Sequence, residues 1–224
     1  MNKKIKKVPN PIWGGRFNYG ANDLAKEFTS SIHNDHRLYK EDIKSSMAHA
    51  LALKEANLIN RKDYSKITKG LKLILNEIKS GKFKWHKELE DIHMNIEFAL
   101  EKKAGTSSKR LHTGRSRNDQ IATDLKLYLM NSIEEILSLI TKTQISIVKK
   151  ALRYYSTLMP GFTHLQMAQP ITFGHHLMAW FEMLNRDFSR FQESKKRMSS
   201  LPLGSGELAG IRYNLDRNKL ATRL

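Results

Sequence analysis

From residue 121 onward, apolar side chains fall at Ile121, Leu125, Tyr128, Leu129, Ile133, Ile136, Leu137, Ile140, Ile147, Val148 and Leu152. Spacings of mostly three and four place them on one stripe of a long amphipathic helix, which Pro160-Gly161 is expected to end. A second stripe, Phe173, Leu177, Trp180, Phe181, Leu184, Phe188 and Phe191, predicts another helix over about residues 171–197. Shorter helical patterns occupy about residues 42–56, 63–80 and 87–103, and Ser45, Ala48 and Ala52 are small enough to permit close packing. No run alternates in the manner of a strand. Helices this long need helical partners. The expected fold is therefore all-α, with a short-helix N-terminal domain over residues 1–112 and the first part of a long-helix bundle over 113–224.

Composition narrows the chemistry. Of 224 residues, 40% are hydrophobic and 27% charged, the balance of a folded chain with a core. Cysteine is absent, which excludes disulfides, thiolate metal sites, iron–sulfur clusters and a cysteine nucleophile. The basic first residues carry no apolar stretch of the secretory kind, so a cytoplasmic location is expected. Residues 154–181 lack charge, but Pro160, Pro170 and several His and Gln side chains are costly in hydrocarbon, so the segment reads as protein interior or interface with no membrane partner. Lys and Arg number 39 against 22 Asp and Glu, a formal charge of +17. The lysines are scattered along the helical segments and no nucleic-acid-binding signature accompanies them, so they read as a solvated surface with no nucleic-acid partner. A positive field still favours collection of a small polyanion.

Three polar clusters carry candidate chemistry. The run Lys109-Arg110-Leu111-His112-Thr113-Gly114-Arg115-Ser116-Arg117-Asn118-Asp119 lies just before the long helix, where backbone N–H groups favour a carboxylate or phosphate; alternatively Asn118 or Asp119 caps that helix and the arginines are solvated. Between the long helices, Thr163-His164 offers a hydroxyl donor beside a proton carrier, or a structural histidine. Glu90-Asp91-Ile92-His93 forms the third, and His93 and Glu97 share a helix face without a second ligand set, so no metal site is expected. Pro202-Leu203-Gly204-Ser205-Gly206-Glu207 lacks the features of a nucleotide loop and reads as a tight turn.

Taken together and in this order, Trp13-Gly14-Gly15-Arg16-Phe17, Ser31-Ile32-His33-Asn34-Asp35, Glu90-Asp91-Ile92-His93, Leu111-His112-Thr113-Gly114-Arg115-Ser116-Arg117-Asn118-Asp119-Gln120, Pro160-Gly161-Phe162-Thr163-His164-Leu165-Gln166 and Leu203-Gly204-Ser205-Gly206 resemble the argininosuccinate lyase and delta-crystallin family of the fumarase/aspartase superfamily. The resemblance runs from about Ile12 to the last residue. It implies reversible elimination of argininosuccinate to arginine and fumarate, in arginine biosynthesis, without metal or organic cofactor. By the same resemblance Ser31, Asp35, His93, Arg117, Asn118 and Thr163 are substrate-binding residues, and Thr163 and His164 are catalytic, His164 in a proton-transfer or orienting role.

The family's flexible serine loop, carrying the favoured base, is expected beyond position 224, as are the rest of the bundle and a small C-terminal domain. The family builds each site from three subunits of a homotetramer, so the expectation for this chain alone is an inactive, association-prone first half. Glu207, Ile211 and Met167 depart from the family pattern, and a carboxylate at 207 in a tight junction would need a partner. A second reading keeps the bundle as a non-catalytic structural or subunit-partner module.

Overall fold

The computed structural model describes residues 22–224, so the Trp13–Phe17 motif lies outside the described residues. The chain divides into two compact units, one of residues up to Ile121 joined by Leu203–Leu224, the other of Ala122–Pro202.

In the first unit, α1 (Asp23–Thr29), α2 (Ile32–Asp35) and a 3-10 turn lead into α3 (Tyr39–Glu55), followed by α4 (Arg61–Lys79), α5 (Ile92–Ala104) and a 3-10 stretch over Gly105–His112. Local chemistry sets the starts: Asn60 accepts from the Asp63 N–H at 2.8 Å to cap α4, and Asp91 accepts from the Met94 N–H at 2.7 Å to cap α5. Helix α3 packs on α4, and α4 on α5. Their shared core holds Ile43, Leu53, Ile67, Leu71, Ile74, Ile92 and Leu100, and the returning segment contributes Leu203 and Leu220, the latter from α8 (Arg217–Thr222). Fully burying each such side chain contributes about 1.5–3 kcal/mol. Gly70 lets α4 approach α5, since a Cβ there would stand 2.6 Å from Leu100 Cδ1.

The second unit holds most of α6 (Arg117–Arg153), a hairpin of β1 (Leu158–Thr163) and β2 (Gln166–Thr172), and α7 (Phe173–Met198). Lys195 pairs with Glu134, and Lys126 donates to the Ser200 carbonyl at 2.9 Å. Where the chain enters α7, Gly174 lies under the end of α6; a Cβ would meet Tyr155 Cα at 2.8 Å and the Ala151 carbonyl oxygen at 2.9 Å. Leu129, Leu139, Ile145, Leu152, Trp180 and Met183 remain exposed along the two helices.

The all-α expectation stands with one amendment. Residues 158–172 form an antiparallel hairpin where no strand is expected, pairing Met159 with Ile171 and Phe162 with Met167. Its prolines pair with each other rather than interrupting a wider sheet, which is how a two-stranded ribbon accommodates them. Of the two readings of the uncharged run, interior does not hold for its middle: residues 162–170 are all exposed within the chain. Glu207 is exposed too, so water solvates the carboxylate that was expected to need a partner.

Candidate functional site

The start of α6 is built by a reciprocal cap. Ser116 Oγ accepts from the Asn118 N–H at 3.3 Å, while the Asp119 carboxylate accepts from the Ser116 N–H at 3.0 Å. Neither Asn118 nor Asp119 is therefore the capping residue; Ser116 is. The second Asp119 oxygen accepts from the N–H groups of Gly204 and Gly206, at 3.1 and 2.9 Å, so the glycine turn is fastened to this junction. Positive φ at Gly204 and Gly206, +94° and +65°, lets both amides turn toward one oxygen.

Preceding residues are held from α3. Arg115, 6% exposed, donates to Ser46 Oγ at 2.8 Å, so it is not a solvated surface arginine. His49, fully buried, donates through Nε2 to the Thr113 carbonyl at 2.9 Å. Burial, with the positive charge of Arg115 and His112 outweighing the Thr113 hydrogen bond, pushes its imidazole down to about 3, so it is neutral near pH 7.

Arg117 projects from the first turn of α6 into a cage of acceptors. It donates to Glu97 Oε2 at 3.0 Å and to Gln120 Oε1 at 3.1 Å, and its Nε lies 3.6 Å from Asp91 Oδ2. Burial raises the Glu97 carboxyl, but the His112 ring, 3.5 Å away, and the charges of Arg117 and Arg115 outweigh it and hold the group at about 2. His93 and Glu97 thus answer to different partners: His93 Nδ1 lies 2.9 Å from Asp42 Oδ1, and both side chains are almost fully buried. Burial raises the Asp42 carboxyl as well, yet His93, Arg115 and Gln120 hold it far below the usual carboxylate range. Glu97 and His112 also line a cleft of about 360 Å³ floored by Leu89, Met94 and Phe98.

Ser31 joins the same network from the other side. Its N–H donates to the Glu90 carbonyl at 2.8 Å, one residue before the Asp91 cap, and its hydroxyl donates to Asp35 Oδ2 at 2.6 Å. Asp35 Oδ1 is buried without a hydrogen-bond partner. Of the expected site residues, Ser31, Asp35, His93 and Arg117 are therefore tied into one connected network, and Asn118 is exposed beside Arg117. Thr163 and His164 belong to the other unit, at the hairpin tip, where both are exposed rather than lining a pocket of their own unit. The tip turns through His164 and Leu165, whose φ values of +49° and +65° are those of a tight hairpin turn and are costly for residues with a Cβ.

Sequence reading passed over Asp42 and gave Gln120 no role beyond its place at the end of a motif; the two join His93 to the start of α6. The available signal was spacing: Asp42, Ser45, Ser46 and His49 recur at three and four, a polar stripe along a helix.

Argininosuccinate lyase of Pseudomonas entomophila is 50% identical over 208 residues, covering 93% of this chain and 45% of that protein. The enzyme of the same name from Acinetobacter baumannii is 50% identical over 206 residues, 92% of this chain and 43% of its own length. The chain thus spans less than half the length of these relatives. Among solved structures, an EDDS lyase variant with bound fumarate superposes with a TM-score of 0.73 at 26% identity, covering 82% of this chain and 36% of that one. The sequence pattern of the family described as Lyase matches residues 15–224, and the chain belongs to that family.

Proposed function

We propose that the chain carries two of the substrate-facing regions of an argininosuccinate lyase. The reaction is the reversible elimination of argininosuccinate to arginine and fumarate, and it serves arginine biosynthesis. A base takes the proton next to a substrate carboxylate, the electron pair forms the new C=C bond, and the C–N bond to the guanidino group breaks as an acid protonates the departing nitrogen. Charge accumulates on the carboxylate in the doubly negative intermediate, so fixed donors aimed there supply much of the catalysis.

One observation carries this reading: Ser31, Asp35, His93 and Arg117, named from the resemblance, are linked by hydrogen bonds, the Glu90-Asp91 backbone and the Arg117–Asp91 ion pair, with Gln120 and Asp42 reaching His93. In this reading Ser31, Arg117, Asn118 and Thr163 grip substrate, Asp35 and His93 line the site, and His164 moves or orients a proton. The base belongs to the family's serine loop, outside these 224 residues. The working assembly is a cytoplasmic homotetramer in which neighbouring subunits complete each site, and it needs neither metal nor organic cofactor.

The test is fumarate release from argininosuccinate, followed by ultraviolet absorbance. The 224-residue polypeptide alone is expected to be nearly silent. Adding a polypeptide that supplies the rest of the family's length restores activity, and Arg117→Ala abolishes the restored rate. A reconstituted assembly that binds neither argininosuccinate nor fumarate refutes the enzyme reading and favours a structural module.

A further inference from the structure

His93 and Arg117 sit on different helices, yet one buried carboxylate joins them. Asp42, on α3, is 1% exposed. Its Oδ1 receives both His93 Nδ1 at 2.9 Å and Gln120 Nε2 at 2.5 Å. A buried carboxylate is tolerated only when such donors compensate its lost hydration.

The consequences run outward on both sides. Because Asp42 is an anionic acceptor, the ring nitrogen facing it carries the proton. On the other side, Gln120 gives its amide N–H to Asp42, so its carbonyl is turned toward Arg117, from which it accepts at 3.1 Å. Gln120 is itself 1% exposed, which leaves its amide little room to turn. Glu97 and Asp91 complete the hold on the guanidinium.

We infer that Asp42 is a positioning residue for the proposed lyase site: its carboxylate fixes the Nδ1–H form of His93 and, through Gln120, the orientation of the Arg117 guanidinium. The inference deepens the proposed function and rests on it for the catalytic consequence, while the hydrogen-bond relay itself stands on the geometry. Asp42 acts through its two neighbours.

The relay is read directly by nuclear magnetic resonance on the 224-residue chain with nitrogen-labelled histidine and arginine. Wild type shows a protected His93 Nδ1–H and a sharp Arg117 Nε–H signal. Asp42→Asn loses the first and broadens the second. Gln120→Leu broadens the Arg117 signal and leaves His93 as in wild type. The relay is overturned if Asp42→Asn leaves both signals unchanged, or if Gln120→Leu disturbs His93 while sparing Arg117. Should Asp42→Asn fail to fold, seen as collapse of the backbone amide spectrum, Gln120→Leu alone decides by the same criterion.

In the reconstituted assembly, Asp42→Asn lowers kcat roughly 10–100-fold, the ordinary cost of removing a group that orients a reacting one, while Gln120→Leu acts mainly on KM. Asp42→Glu recovers part of the rate. Altered spectra with an unchanged kcat would overturn the catalytic consequence. A wild-type assembly without lyase activity would instead refute the proposed function, and the spectra would still decide the relay.

Discussion

Replacing Asp119 by Asn tests the joint between the start of α6 and the glycine turn. The carboxylate is 4% exposed and accepts three backbone N–H groups: Ser116 on Oδ1, and Gly204 and Gly206 on Oδ2. An amide has one acceptor oxygen, so it keeps the two glycine bonds or the Ser116 bond, and its NH2 faces a backbone donor on the other side. One or two hydrogen bonds to a charged acceptor are lost, at about 1.5–3 kcal/mol each, and the strain of apposed donors adds to this, so the expected loss is about 2–4 kcal/mol. With a urea slope of about 3 kcal/mol per molar, the unfolding midpoint moves down by roughly 1 M. Hydrogen exchange localises the effect: the Gly204 and Gly206 amides, protected in wild type, exchange faster in the variant. A midpoint within about 0.2 M of wild type, well inside that expected shift, together with unchanged glycine protection, would show that the three bonds do not hold the junction.

His49 makes the first unit sensitive to acid. Its folded-state pKa of about 3 lies below the ordinary 6.5, so its contribution is complete above pH 6.5 and is lost as pH falls toward 3. Between pH 6.5 and 4.5 this amounts to about 2–3 kcal/mol, and a His49→Gln variant, which keeps a donor for Thr113 but does not titrate, shows a flatter urea midpoint across that range. Glu97, with its side chain 35% exposed, adds a solvent-screened loss from its ordinary 4.5 down to about 2. Gly174→Ala forces a Cβ against two backbone atoms and is expected to cost about 1–3 kcal/mol, seen as faster hydrogen exchange where α6 ends and α7 begins; wild-type protection there would contradict the close approach. Leu165→Gly relieves a left-handed residue that is 99% exposed, so the hairpin gains about 1 kcal/mol and resists thermal fraying; a loss of stability would mean the leucine side chain contributes more than its backbone costs.

The long helices were legible because their apolar residues repeat at three and four over many turns. The predicted span from residue 171 to 197 lies close to Phe173–Met198, and 63–80 close to Arg61–Lys79. The hairpin was not legible, since neither Leu-Met-Pro-Gly-Phe-Thr nor Gln-Met-Ala-Gln-Pro-Ile-Thr alternates cleanly and neither strand buries one face. What specifies it is the turn and the mutual pairing, a nonlocal property. At the site, motif residues were named from sequence, but their partners were not. Asp42 lies 51 residues from His93 and 78 from Gln120, so nothing local announces the relay. The dual role of Asp119 was hidden in the same way, because a helix cap explains it adequately until Gly204 and Gly206 arrive.

That arrival has a temporal side. The glycine amides that saturate Asp119 lie 85 and 87 residues downstream of it, and the whole second unit is threaded between them. During synthesis at about 5–20 residues per second, the carboxylate waits roughly 4–17 seconds before its last donors leave the ribosome. The first unit is thus started early and sealed late, with Ala122–Pro202 emerging in the interval. Closing so long a loop slows the sealing step more than it weakens the sealed state. A nascent chain paused before residue 203 would carry an unsealed α6 start, exposed to proteases and chaperones that the finished unit excludes.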